Sequence, residues 1–266
     1  MIRNTFFLFA VILHLACAQS TLHPYKTNWN TDGITLGTAV IVAFSASAID
    51  DKVPKLTTTE IDGLNKQEIN AIDRFSAGLY STSQSSISDI LVGSAILSPV
   101  LFVFDNDVRG DIGTVATMYI ETALFATFLP SYGKGSVQRI RPYVYGSKAP
   151  LSEKLSSDSR RSFFSGHATW AFATSVFFAQ VYSDFHPTSK YTTTVWTGAI
   201  GIASTVSILR VTSGAHFLTD IAVGAAVGSA VGYLIPYFHR TTENEISLSP
   251  FITPRSSGFS LAIRLK

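Results

Sequence analysis

Apolar residues fall along the chain in six long stretches: about Ile34–Ile49, Ile90–Phe104, Ile112–Leu129, His167–Tyr182, Thr192–Leu209 and Phe217–Phe238. Most approach the ~20 residues a helix needs to cross the hydrocarbon core of a bilayer. A single shorter stretch could be a buried helix of a soluble domain. Six together favour an all-α, membrane-embedded bundle of about five or six helices. Ile34–Ile49 is short and dotted with Thr and Ser, and is expected not to cross.

The intervals between them carry their own patterns. Asp51–Ser88 is the main polar interval before the core. Thr57-Thr58-Thr59-Glu60, followed by Ile61, Leu64, Ile69, Ile72 and Phe75, predicts capped helices lying on a surface. Asp105–Asp111 is a short polar turn, so its flanking helices are expected to form an antiparallel hairpin. Tyr132–Phe164 is a longer polar connection, and Ser183–Tyr191 with Pro187 is another turn. Past Arg240 the period becomes two. Ile246 and Leu248, then Phe259, Leu261, Ile263 and Leu265, alternate with smaller or polar residues around Pro254–Gly258, predicting a small C-terminal β-hairpin.

Composition agrees with a membrane protein, since 46% of residues are hydrophobic and only 14% charged. A net charge of +2 without a basic run excludes nucleic acid as a partner. Arg3, the apolar stretch Phe6–Leu15 and Ala16-Cys17-Ala18 make a signal peptide over residues 1–18. Cleavage there removes Cys17, the only cysteine, and with it any disulfide, thiol nucleophile or zinc–thiolate site. Acylation of Cys17 is the alternative, with His14 against it. The chain then divides into an N-terminal segment (19–89), a helical core (90–240) and a tail (241–266).

Three short segments place reactive side chains beside apolar stretches. In Lys134-Gly-Ser-Val-Gln-Arg-Ile-Arg141-Pro142, Lys134 and Arg141 lie two helical turns apart on one face. Pro142 discourages helix through the residues before it. Two cations at a membrane boundary suit an anionic substrate, or equally lipid headgroups. In Ser162-Phe163-Phe164-Ser165-Gly166-His167, a glycine and a helix N-terminus offer backbone amides to an anion, with His167 at the rim. In Arg210-Val-Thr-Ser-Gly-Ala-His216-Phe-Leu-Thr-Asp220, His216 and Asp220 share a helical face one turn apart. A carboxylate there would orient the imidazole, or the two form a structural pair only. The same stripe continues through Gly224, Gly228 and Gly232, overlapping G-x-x-x-G pairs that let another helix approach closely. Glu121, an acid inside Ile112–Leu129, reads as a functional group or as the partner of an arginine or backbone amide.

K-x6-R-P, then S-G-H, then R-x5-H-x3-D, in that order over Lys134–Asp220, resembles the type 2 phosphatidic acid phosphatase superfamily, which also holds class A acid phosphatases and vanadium haloperoxidases. Phe164 stands where that family usually has proline, and Leu209 where it has serine. The resemblance implies a metal-independent phosphatase without cofactor, acting on a lipid or isoprenoid phosphate ester at the periplasmic face of a bacterial-type inner membrane. His216 would attack phosphorus with Asp220 orienting its ring. His167 would protonate the leaving group. Lys134, Arg141 and Arg210, helped by Ser165 and the Gly166 amide, would hold the phosphoryl oxygens. A soluble acid phosphatase, a haloperoxidase and a non-catalytic membrane scaffold are the rival expectations.

Overall fold

The computed structural model describes residues 24–50, 52–241, 246–253 and 256–263. The expected leader and Cys17 lie outside the described residues. Six long helices carry the fold: α1 (Trp29–Asp50), α2 (Thr82–Leu97, continued by 3-10 turns over Ser98–Phe104), α3 (Ile112–Val137), α4 (Gly166–Phe185), α5 (Thr192–Thr212) and α6 (Leu218–Phe238).

Hydrogen bonds between element ends fix their directions. The Ser81 amide donates to the Ser213 carbonyl, joining the start of α2 to the end of α5. The Ser165 amide donates to the Asp220 carbonyl, joining the starts of α4 and α6. At the other end, Lys26 N–H donates to the His239 carbonyl and Thr241 N–H to that of Pro24, joining the start of α1 to the end of α6. The helices therefore alternate in direction, and one end gathers all three chemistry-bearing segments.

Helix α4 is the axis of the bundle, packed by α6, α5, α3 and α2. Its Ala168, Ala171, Ala173, Phe177, Ala179 and Val181 are fully buried. The polar Thr169 and Thr174 are buried on the same helix. Large apolar side chains point outward instead: Phe44 is 75% exposed, Ile90 68% and Phe104 80%. Polar inside and apolar outside inverts the arrangement water imposes on a soluble domain. Five helices, Trp29–Ile49, Thr82–Phe104, Ile112–Tyr145, Thr192–Thr212 and Leu218–Phe238, are long and apolar enough to cross a bilayer. The chain is a membrane protein built as a helical bundle.

Several expectations need correction. Helix α1 extends five residues before Ile34 and spans about 33 Å at 1.5 Å per residue, so it is long enough to cross. Its polar first turn hid that length. Helix α2 begins at Thr82, where the Ser81 hydroxyl accepts from the Gln84 amide, eight residues before the apolar stretch. The helices flanking Asp105–Asp111 run antiparallel as expected, joined where Tyr119 Oη donates to the Ile96 carbonyl at 2.6 Å, but they are not each other's main partners. Helix α2 packs mainly on α5 and α4, and α3 on α1, α4 and α6. The polar interval keeps its capping box, with Thr57 and Glu60 satisfying each other's amides, but between α1 and α2 only Thr58–Asp62 is α-helical among the described residues. Ile72 and Phe75, expected to anchor it, are more than 60% exposed. Beyond the bundle, β1 (Ile246–Thr253) and β2 (Ser256–Ile263) pair antiparallel, with Ile246 opposite Ile263.

Candidate active site

Between α5 and α6 the chain reverses through Ser213–Phe217. Gly214 makes the turn at φ +75°, and a Cβ there would lie 1.8 Å from the Leu79 carbonyl oxygen. Only glycine fits, because the backbone is left-handed and another loop presses on it. The turn delivers His216 fully buried. Its Nδ1 lies 2.7 Å from the Ser162 carbonyl oxygen, which can only accept, so Nδ1 carries the proton. Nε2 is then the nitrogen with the free lone pair.

Asp220 is not the direct partner expected. Its Oδ2 is 3.9 Å from Nδ1, beyond hydrogen-bond range. It sits in the first turn of α6 and caps that helix, accepting from the Phe217 amide at 2.9 Å. Ser162 Oγ donates to it at 2.5 Å and Arg139 Nη1 at 2.5 Å. Ser162 thus links the two groups, carbonyl to imidazole and hydroxyl to carboxylate.

Three cations surround this histidine. Buried Arg141 is held by the Ala215 carbonyl at 3.0 Å and by the Asp158 carbonyl and carboxylate, both at 2.9 Å. Arg210 Nη1 donates to Ser85 Oγ at 2.8 Å and Ser88 Oγ at 3.2 Å, and lies 3.4 Å from Asp89. Its buried Nε has no hydrogen-bond partner, an unmet cationic donor that an anion would satisfy. Lys134 ends α3 with its Nζ 3.6 Å from where a Cβ on Gly166 would lie. Burial first, then the charges of Arg141, Arg210 and Lys134, hold the His216 imidazole well below its ordinary pKa.

His167 lies in the first turn of α4, with Nε2 2.7 Å from Asp89 Oδ1. Burial and the Arg210 charge push it down to about 4, with Lys134 adding to this and Asp89 opposing it. Lys134 and Arg210 therefore act on both imidazoles, so the three segments converge on one small region. Ser165 precedes Gly166 at the start of α4. Its hydroxyl caps α4, accepting from the Ala168 amide at 3.3 Å. An added Cβ at Gly166 would make only ordinary contacts, with Lys134 and Pro130, so this glycine leaves the surface beside Lys134 low rather than relieving a clash.

The glycine stripe on α6 meets the helix that carries His167. A Cβ on Gly224 would lie 2.7 Å from the Ser165 carbonyl oxygen, on Gly228 2.3 Å from that of Thr169, and on Gly232 2.3 Å from that of Ala173. Backbone touches backbone along three turns, which fixes His216 relative to His167. Phe164 packs its ring on Gly133, where a Cβ would meet Phe164 Cδ1 at 2.8 Å.

Sequence reasoning missed the supports. Arg139 bridges Asp220 to Asp73, at 2.7 Å from the latter, and lies 4.2 Å over the Phe217 ring. Asp73 accepts from the Thr219 amide at 3.0 Å and hydroxyl at 2.5 Å. Burial opposes ionisation of Asp73, yet hydrogen bonds from Thr219, Arg139 and Asn70 hold its carboxyl below the usual range. Arg139 was a visible signal, two residues from Arg141 in the same motif. So was the helical spacing of Ser85, Ser88 and Asp89. Ser162 and Asp73 gave none. Glu121 is far from all of this, bound to the Thr35 hydroxyl and beside His239 instead of an arginine or amide.

Residues 115–243 match the family model of the PAP2 superfamily. This segment, just under half of the chain, is PAP2-like. Every charged residue of the three motifs lies inside the matched PAP2 region, while Ser85, Ser88, Asp89 and Asp73 precede it. No curated protein matches the chain. Among solved structures the chain is similar to the transmembrane PAP2 type phosphatidylglycerolphosphate phosphatase from Bacillus subtilis, at 22% identity and TM-score 0.45, over 79% of this chain and 96% of that one.

Proposed function

We propose that this protein is a metal-independent phosphatase that hydrolyses a lipid or isoprenoid phosphate monoester through a phosphohistidine. The observation that carries this reading is the setting of His216: buried, with Nδ1 held by the Ser162 carbonyl, its pKa held down by three cations, and an unmet guanidinium donor beside it. A buried imidazole so held among cations is a nucleophile awaiting an anion.

In the first step His216 Nε2 forms a bond to phosphorus, and the P–O bond to the lipid breaks. His167 delivers a proton to the departing alkoxide. Lys134, Arg141 and Arg210 stabilise charge on the phosphoryl oxygens, and Asp220 lies near enough to favour the cationic ring of the intermediate. Water, giving its proton to His167, then attacks phosphorus, the P–N bond breaks, and inorganic phosphate leaves. In the free protein His167 has little affinity for a proton, so the dianionic substrate must raise it on binding.

We place the site at the periplasmic face of an inner membrane, with residues 82–240 as the catalytic bundle. The start of α1 and the end of α6 then face the cytoplasm if all six helices cross. Cleavage of an exported leader after Ala18 fits that site only if α1 does not cross. Impermeant thiol labelling of Lys148→Cys and Lys26→Cys separates the cases: six crossings predict labelling of the first alone in intact cells.

The enzyme assay is phosphate release by purified protein from phosphatidic acid, phosphatidylglycerol phosphate, polyprenyl diphosphate and lipid A phosphates, with and without chelator. Release from at least one, unchanged by chelator and abolished in His216→Ala, is expected. Equal release by His216→Ala would remove the phosphohistidine.

A further inference from the structure

At the end of the bundle away from the candidate active site, Asp32, Glu121 and His239 each aim one ligand atom at a common point, all within 4.8 Å of one another. They come from the first turn of α1, the interior of α3 and the residue after α6. None belongs to the phosphatase machinery.

The geometry points to a binding site for one divalent transition cation of the zinc class. His239 Nδ1 donates to the Ile235 carbonyl at 2.8 Å, which leaves Nε2 as the ligating nitrogen. A backbone carbonyl on the far ring nitrogen is how metal-bound imidazoles are held. Nε2 lies 2.8 Å from Asp32 Oδ1 and 3.5 Å from Glu121 Oε2. Ligands about 2.1 Å from a tetrahedral ion stand about 3.4 Å apart, so the His–Glu edge already has bound spacing and the His–Asp edge needs a shift of well under 1 Å.

The second observation is Glu121 itself. The residue is completely buried, and its Oε2 makes no hydrogen bond, only the 3.5 Å ion-pair contact with His239 Nε2. A buried carboxylate oxygen left unmet is costly, and a cation removes the cost. Its other oxygen accepts from Thr35 Oγ1 at 2.5 Å, and the second oxygen of Asp32 accepts from the Asn28 amide at 2.9 Å. Each ligand is thus braced by an outer contact. One imidazole and two carboxylates suit zinc-class ions better than magnesium, which prefers oxygen alone. Water completes four-fold coordination, entering past Asp32, whose side chain is 16% exposed. The ion fastens α1 to the rest of the bundle, since Asp32 is its ligand on that helix.

The test is titration of purified, chelator-stripped protein with Co(II) alone, read by visible absorption and by metal content after desalting. One Co(II) per chain with the intense bands of tetrahedral coordination is expected, together with a rise in thermal midpoint. Thr35→Val, which removes only an outer contact, should weaken binding about 10- to 100-fold. Glu121→Gln and His239→Gln should lose the spectrum. His186→Gln, in the more exposed Asp105–Asp107–His186 group, should keep it. Failure of the wild-type protein to take up stoichiometric Co(II), or a spectrum lost in His186→Gln and kept in His239→Gln, overturns the site. Either result leaves the phosphatase reading untouched.

Discussion

The two ends of the bundle solve the same problem with opposite sign. Both bury histidine in a low-dielectric interior, where any uncompensated charge is expensive. At one end His216 faces Arg141, Arg210 and Lys134, and Asp220 is already neutralised by Arg139. At the other, His239 faces the two carboxylates of Asp32 and Glu121. A surplus of buried cations is a receptor for an anion, and a surplus of carboxylates around an imidazole is a receptor for a cation. The contrast teaches that the local charge sum, more than the presence of histidine, tells what a buried polar cluster is for.

The rigid link between the ends offers the largest way to break that picture. Gly228→Leu places side-chain atoms where the Thr169 carbonyl lies, forcing α6 off α4. The expected outcome is overpacking that costs about 1–3 kcal/mol or more, with His216 displaced from His167. Activity should fall at least about 100-fold, in keeping with a displacement of roughly 1 Å. Gly198→Leu, at a position where a Cβ meets nothing within 4 Å, should change neither melting temperature nor rate. Equal tolerance at both positions would show that the glycine stripe does not set the geometry.

Asp220→Asn comes next. Where a carboxylate directly holds the catalytic imidazole, its amide costs about 10⁴-fold. Here the Ser162 carbonyl fixes the tautomer and Asp220 acts through Ser162 and the Phe217 amide. The expected loss is smaller, roughly 10- to 100-fold in kcat, because only the support of a carbonyl already in place is weakened. A full 10⁴-fold loss would mean that the carboxylate moves onto Nδ1 when substrate binds.

The cation surplus also sets a pH signature. In the proposed mechanism His216 must be unprotonated to attack, and its pKa is held down by burial and by three cations. Its contribution to the acid limb of kcat/KM should therefore lie below the ordinary histidine value of about 6.5, because less proton affinity extends the active form to lower pH. Arg141→Gln removes one of those charges, so the limb should move to higher pH. A pH–rate profile for both proteins checks the sign.

The sequence exposed the proposed reacting groups more readily than their supports, for a physical reason. His216, Asp220 and the glycines follow a helical period, so their shared face can be read by counting. Ser162 and Asp73 act by tertiary hydrogen bonds to residues 58 and 146 positions away, and no local pattern announces that. Helix ends were misread wherever a helix carries polar residues into a site. The first turns of α2 look like loop because Ser85, Ser88 and Asp89 face Arg210, and α1 looks short because Asp32 and Thr35 face His239 and Glu121. In a membrane bundle the polar turns at helix ends are where function sits, so an apolar stretch marks the middle of a helix better than its limits.

Asp89 is the carboxylate that contacts both His167 and Arg210, and it offers the smallest and finest test. It lies 2.7 Å from His167 Nε2 and 3.4 Å from Arg210 Nη1, occupying positions that a phosphoryl oxygen would take. It is also 56% exposed, so its hold on either partner is screened and weak, about 1 kcal/mol or less. Asp89→Asn removes a competitor for the anion while lowering the proton affinity of His167, since the carboxylate is what raises it. The two effects separate in kinetics. KM should fall and kcat should fall with it, each by fivefold at most, with the kcat loss greater for poor leaving groups that need the proton. A rise in KM instead would show that Asp89 orders the site for substrate, and the charge sum at this end would have to be drawn with the carboxylate as part of the receptor.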